Sequence, residues 1–461
     1  MSGVDLFLLE DKAPHGWTPF SQTRPVGELL FGALLLRQRV ERATGLLCAG
    51  YLGAPQLEGF DDGQEAPAVH PSRETTDVPP GGRAGTHGLL IFRSRYVPPL
   101  PPPGEGSSLQ LPLGNTPLRL VAGAQTVGWF VPAEEATVLQ ALRERPGEAH
   151  AILHGISGDP LNVPGRLLER PWTLMTDNPD QVAKDLGILF PDGRGPGVSP
   201  LPPISGVSRM GGHPVSAEPE VEVAPGTILD TRNGPIHLAR QVQVEPRTHL
   251  RGPAFIGPGS TLLGGQISAL SCGPVCKLHG EIDHSVILGY CNKAHHGFLG
   301  HSILGRWVNL GAMTTNSDLK NTYGTVRMRS PRDGEIDTGL LKVGVFLGDH
   351  VRTGIGTLLN TGTVVGAGST LFAGELPPRW VPPFSWGKGQ DLIATRLEPF
   401  LTTTRRAMSR RNLELSAGMT HLLERLWGET HSVDAHEQET LHGGPPETEE
   451  GPGPKSLGTN R

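Results

Sequence analysis

Aromatic residues make up only 5% of this sequence, too few for large aromatic cores. Cysteine is scarce as well. Cys48, Cys272, Cys276 and Cys291 form no disulfide framework for a chain of 461 residues, and Cys272 with Cys276 is only a weak metal signal. No stretch approaches ~18 uninterrupted apolar residues, so no membrane span is expected. The first eleven residues carry acids within a short apolar run and lack a basic segment, unlike a signal peptide. The formal net charge of -6 excludes a whole-chain basic field and makes nucleic acid a poor partner. Together these absences point to a cytoplasmic protein with small-molecule ligands, no membrane or nucleic-acid partner, and no assigned metal site.

What the chain has in excess is glycine, at 63 residues, and proline, at 44. Both punctuate turns, so a turn-rich repeat architecture is expected. The length favours two or three domains. Residues 4–9 read as a buried strand, and 26–40 carry apolar residues at helical spacing (Leu29, Leu30, Ala33, Leu36, Val40), which is how an α/β domain opens. Further strands are expected at 89–92 and 127–131 and a helix at 134–145, giving an α/β domain over 1–190. Residues 191–220 are rich in Gly, Pro and Ser and read as a linker.

After that segment the period becomes six. Leu238, Val244, Leu250, Ile256 and Leu262 fall at six-residue steps, and so do Leu347, Thr353, Leu359, Val365 and Leu371. Neither 3.6 nor 2 sustains that register, whereas a hexapeptide coil does: three hexads close one triangular turn, with every sixth side chain inward. Pro225-Gly226, Pro258-Gly259 and Gly366-Ala367-Gly368 sit where such a coil must turn. A parallel β-helix is therefore expected over 221–387, then a helical extension over 388–428 marked by Met419, Leu422, Leu423 and Leu426, and a disordered tail over 429–461.

Four stretches carry a resemblance: 280–324 (GEIDHSVILGYCNKAHHGFLGHSILGRWVNLGAMTTNSDLKNTYG), 348–366 (GDHVRTGIGTLLNTGTVVG), 382–387 (PPFSWG) and 23–32 (TRPVGELLFG). They resemble bacterial proteins related to the bifunctional UDP-N-acetylglucosamine pyrophosphorylase and glucosamine-1-phosphate N-acetyltransferase. The resemblance implies a sugar nucleotidyltransferase-like α/β domain followed by a left-handed parallel β-helix. It also implies a homotrimer with acetyltransferase sites between subunits, acetyl-CoA as acyl donor and an amino sugar or sugar phosphate as acceptor.

By the same resemblance the general base is His295, counted back from Phe298-Leu299-Gly300, in a loop leaving the β-helix; a one-residue gap would select His296. An amino sugar arrives largely as ammonium, so its attack on a thioester requires a group titrating near neutrality. On the residues alone, His295, His296 and His301 could equally be polar loop residues or a metal cluster. Asn309 and Asn316 match asparagines that contact the sugar and lie near the acetyl group, and Ala373 matches a small residue beside the acyl-CoA. Asp283 stands where the related enzymes carry a phosphate-contacting lysine, and Phe298 where they carry a tyrosine. Lys293, Lys320 or Arg251 are the candidates to supply the missing charge, and the basic cluster Arg405, Arg406, Arg410 and Arg411 could face the phosphates of acetyl-CoA.

The N-terminal domain departs further. Residues 10–16 lack the glycine pattern that brings backbone N–H groups to nucleotide phosphates. Thr23-Arg24-Pro25 resembles the basic motif that follows, making Arg24 a nucleotide-binding candidate, but no metal-binding aspartate follows near 89–93. This domain thus reads as degenerate, with Mg2+ needed only if it is active. Three functions remain: an N-acetyltransferase, a sugar-1-phosphate nucleotidyltransferase, and a noncatalytic sugar-nucleotide-binding trimer.

Overall fold

The computed structural model describes residues 3–10, 17–63, 66–70, 88–330 and 334–431. The N-terminal unit is built on a mixed six-stranded sheet in the order Cys48–Leu52, Val4–Leu9, Gly88–Arg93, Gln125–Val131, Leu118–Ala122 and Asp159–Asn162. Val4–Leu9 pairs in parallel with both of its neighbours, which is why its apolar run is continuous rather than alternating: both faces are covered. The crossover helix Leu36–Thr44 stops at Gly45, whose φ of 72° lets its N–H reach back to the Glu41 carbonyl.

The helix expected over 26–40 forms only from Leu36. Ahead of it, Leu30–Phe31 and Leu34–Leu35 make a tight hairpin. Its turn is fixed from outside, since the N–H groups of Gly32 and Ala33 donate to Asn178 and Asp185, both buried. Gly32 sits at φ +65°, and a Cβ there would lie 2.1 Å from the Asp185 carboxylate.

The second unit is a parallel β-helix within a 22-stranded sheet. Each short strand pairs with the one a full coil later: Leu238 faces Ile256, Val244 faces Leu262 and Thr353 faces Leu371, each a step of 18 residues, or three hexads. The stacked inward side chains form one apolar column that includes Val244, Leu262, Leu278, Leu310 and Leu371. Between the two sequence runs the coils shorten, with Leu262 facing Leu278 and Ile267 facing Ile282. Hence the six-residue period lapses there while the solenoid continues. A longer excursion separates Asn309 from its partner Arg352 and contains the hairpin of Arg327–Ser330 with Gly334–Asp337.

Residues 191–220, expected as a linker, are part of the solenoid. Ser208–Met210 and Val215–Ala217 pair with Ile228–Asp230 and Ile236–Leu238, and Leu201, Val215 and Ala217 are buried in its column. The Gly and Pro residues there are the turns of the first coil. The helices Leu397–Ser409 and Ala417–His431 do not extend outward; Phe400, Leu401, Met419, Leu422 and Leu423 pack into the N-terminal core with Leu6, Val40 and Leu90. The tail expected from 429 lies, from 432 on, outside the described residues. Among the described residues no helix is long and apolar enough to cross a membrane.

The two units share a dry interface. Trp17, Phe20, Phe31 and Met175 pack against Val286, Ile303 and Phe346 of the coils. This leaves a different face of the β-helix open, and that face carries the polar cluster described next.

Candidate active site

On one side of the solenoid, Leu229, Leu250, Ile267, Ile282 and Leu299 point inward on successive coils. With a side-chain period of two, their neighbours point outward. The resulting column runs Asp230, Arg251, Ser268, Asp283 and Gly300. Beside it His249, Gln266 and Glu281 join Arg251, Ser268 and Asp283 in lining a shallow cleft.

One residue further on, the coil turns its corner. His284 (φ 43°) and His301 (φ 46°) both take the left-handed conformation there. The same corner geometry on adjacent coils stacks their imidazoles face to face, with centroids 4.8 Å apart and planes 3° from parallel. His284 Nδ1 lies 2.9 Å from Asp283 Oδ1, and the Ser268 hydroxyl donates to the same carboxylate. Burial pushes the Asp283 carboxyl up, but its contacts with His284 and Ser268 win and hold it at about 2. Across the corner His301 Nδ1 meets Asp318 Oδ2 at 2.7 Å, both side chains only 13% exposed. Burial opposes ionisation of Asp318 as well, and His301 outweighs it, so that pKa is lowered.

The comparisons with known proteins point the same way as the two-unit fold. Residues 6–191 match the family model described as sugar nucleotidyl transferase. The chain is 31% identical over 99 residues to the bifunctional sugar-1-phosphate nucleotidylyltransferase/acetyltransferase of Sulfurisphaera tokodaii, covering 22% of this chain and 24% of that protein. It is 27% identical over 186 residues to the bifunctional protein GlmU of a Synechococcus strain, covering 32% and 26%.

The chain is related to the bifunctional GlmU-type proteins.

It spans only about a quarter of the length of these first relatives. An uncharacterized acetyltransferase of Escherichia coli, YaiX, is 24% identical over 182 residues, covering 39% of this chain and 79% of its own. Among solved structures, the Arabidopsis UDP-N-acetylglucosamine acyltransferase aligns at 13% identity and a TM-score of 0.26, over 50% of this chain and 90% of its own.

The residues singled out by the GlmU-type resemblance fall into two groups. His295 is exposed, in a short turn between Asn292–Lys293 and Phe298–Gly300, so the loop expected to leave the β-helix there is a tight corner; the true excursion starts after Asn316, which still pairs with Leu359 of the next coil. His296 is held edge-on against His279, with ring centroids 4.5 Å apart. Asn309 is exposed and accepts from Asn292 on the preceding coil at 3.2 Å. Ala373 lies exposed in a turn 3.8 Å from where a Cβ on Gly356 would sit. These positions are open to a ligand.

The others are committed to the fold. Asn316 is buried and satisfies both the N–H and the carbonyl of Gly300, which is a backbone clamp rather than a sugar contact. Lys320 donates to the Thr325 carbonyl inside the excursion. Arg251 is paired with Asp230 at 3.2 Å. In the basic cluster Arg405 pairs with Glu398, and Arg411 reaches Asn292 at 3.5 Å. Arg24 is 2% exposed and bound to Asp349 of the β-helix at 2.8 Å and to Asp62 at 3.4 Å, so it faces carboxylates and not a nucleotide. The four cysteines are free and buried; Cys272 and Cys276 lie inside the coil, where the Cys276 contact and burial push the Cys272 thiol up, and burial with the neighbouring Cys291 pushes the Cys276 thiol up.

Lys293 corrects the sequence reading most sharply. It takes the inward position of its coil opposite Leu278 and is 1% exposed, with Nζ donating to the carbonyls of His279, at 2.9 Å, and His295. It anchors the His295 turn from within and cannot meet a phosphate. Burial pushes its pKa from 10.5 down to about 8. Between those two values the unfolded chain holds a proton the folded chain lacks, so this group makes stability rise with pH from 8 to 10.5. The melting temperature of wild type relative to Lys293→Met should climb over that window and be flat below it. A constant difference would mean the ammonium is not desolvated.

Sequence reasoning missed His284 and Asp318, and the pairing of His301. A signal existed: His284 and His301 are 17 residues apart, one coil at this point of the solenoid, as in the pairing of Asp283 with Gly300.

Proposed function

We propose that this protein is an acetyl-CoA-dependent N-acetyltransferase acting on an amino sugar or sugar phosphate, working as a homotrimer. The observation that carries the reading is the joining of a sugar nucleotidyltransferase-type unit at 6–191 to a hexapeptide β-helix that presents an exposed His295 on a turn anchored by Lys293. His295 would accept the proton of the sugar ammonium. The freed amine then attacks the thioester carbonyl, its new N–C bond replacing the C–S bond; the first proton leaves His295 for solvent, and the second, shed by the nitrogen as the amide forms, passes through His295 to the departing thiolate. Asn309, exposed on the neighbouring coil, is placed to orient the sugar.

Acetyl-CoA supplies the activated acyl group. The surface around Ala373 suits its slender pantetheine arm, because the turn there is small and its neighbour Phe372, packed on Trp386, is exposed and apolar. The same apolar patch is of the kind that subunit contacts cover.

Arg24 argues against nucleotidyl transfer as the main activity, since its charge is used within the fold. The four free, buried thiols agree with the cytoplasm as the working compartment.

Thiol release from acetyl-CoA in a screen of amino sugars and their phosphates should show turnover, while UTP with sugar 1-phosphates should release little pyrophosphate. Sedimentation at micromolar concentration should give a trimer. Pyrophosphate release without thiol release would replace this reading with the nucleotidyltransferase one.

A further inference from the structure

The corner holding His284 and His301 is not used by the proposed acetyl transfer. We propose that Asp283, His284 and His301 bind a divalent transition-metal ion of the zinc class, with Asp318 orienting His301 from behind. One ligand atom from each of the three residues lies within 4.8 Å of the other two, and all three side chains are half-buried. Zinc takes nitrogen and carboxylate oxygen at ~2.0–2.2 Å, so the three donors would close on the ion as it binds.

Four features support a cation here rather than a simple ion pair. First, the donor set of two imidazoles and one carboxylate suits zinc, cobalt or nickel better than magnesium or calcium, which prefer all-oxygen cages. Second, Asp318 accepts from His301 Nδ1 at 2.7 Å, which leaves Nε2 as the donor; this carboxylate–imidazole arrangement holds metal-binding histidines in place. Third, the Ser268 hydroxyl fixes Asp283 in the same way. Fourth, Asp283 and Asp318 are two carboxylates in one corner: among the described residues Asp283 is paired with His284 and not with a Lys or Arg, Arg251 across the cleft already binds Asp230, and Lys342 lends its charge to Asp318 alone.

Three protein ligands leave coordination positions free, and one of the three, Asp283, also lines the cleft of His249, Arg251, Gln266, Ser268 and Glu281. An ion there would place positive charge beside Asp283, where the related enzymes carry a lysine for the substrate phosphate. That last consequence rests on the acetyltransferase reading; the metal site itself does not.

The test uses the full chain, freed of metal by chelation and dialysis, and titrated with Co2+ followed by Zn2+ competition. One ion per chain is expected, with a visible Co2+ spectrum that Zn2+ abolishes. Affinity should fall at least ~100-fold in His284→Ala and His301→Ala, and by about 10–100-fold in Asp318→Asn, with circular dichroism and melting showing that each variant is folded. His295→Ala should bind as tightly as wild type even though it is expected to lose acetyl transfer, so failure of one proposal does not disguise failure of the other. No stoichiometric binding by folded wild type at micromolar metal overturns the site, as does binding undiminished in both His284→Ala and His301→Ala.

Discussion

Arg24→Ala should lose about 3–5 kcal/mol of folding stability, the usual cost of stripping one partner from a buried ion network. The guanidinium sits between the two units with Asp349 of the β-helix and Asp62 of the α/β unit, at 2.8 and 3.4 Å, all nearly inaccessible to water. Thr23 donates to Asp349 at 2.8 Å, Arg306 pairs with Asp62 at 2.8 Å, and the Arg306 N–H donates to Asp349 at 2.7 Å. Removing Arg24 strips Asp349 of its ion pair inside a buried interface. Desolvation opposes the charge on Asp349, and Arg24 is what outweighs it, so its lowered pKa should revert in the mutant. Urea unfolding measures the loss. Asp349→Ala should be nearly as damaging, and the double mutant should cost much less than the two single losses added together. Additive losses would show that the two residues act separately.

His295→Ala should lower acetyl transfer by about 10²–10⁴ at neutral pH while leaving the melting temperature unchanged, because its exposed ring can leave no cavity. His296→Ala should retain most activity. Both residues are exposed, but the His296 ring packs edge-on against His279. Steady-state rates at saturating acetyl-CoA decide between them. Full activity in His295→Ala with loss in His296→Ala would move the base by one position, and full activity in both would remove a histidine base from this turn.

The β-helix was legible because its repeat is written in the inward residues. From Leu238 to Leu262, and again from Leu347 to Leu371, one side chain per hexad fills the column, apolar at every step but Thr353. The signal failed where coil length changed, since a coil one to three residues short of eighteen shifts the phase without breaking the stack. It failed at 191–220 for another reason: Gly and Pro read alike in a linker and in a closely turned first coil, and only pairing across the coils separates the two.

The candidate site was legible only in part. His295 could be counted from a fixed run, but the burial of Lys293 could not, because an inward lysine breaks the very pattern used to assign inward positions. Arg24 and Asp349 are more than three hundred residues apart, and nothing local marks them as partners. Asp318 approaches His301 from the excursion, whose path no periodicity specifies.

The return of the last two helices to the N-terminal core sets an order on the making of this protein. Leu6 and Leu90 leave the ribosome ahead of the whole solenoid, while Met419, Leu422 and Leu423, which cover the same core, follow it. The α/β unit therefore cannot complete its interior during synthesis; it must wait, partly open, while the whole solenoid is laid down beside it. Translated before the β-helix, the α/β unit is finished after it, and a chain cut short behind the solenoid would carry an unsealed sheet ahead of it.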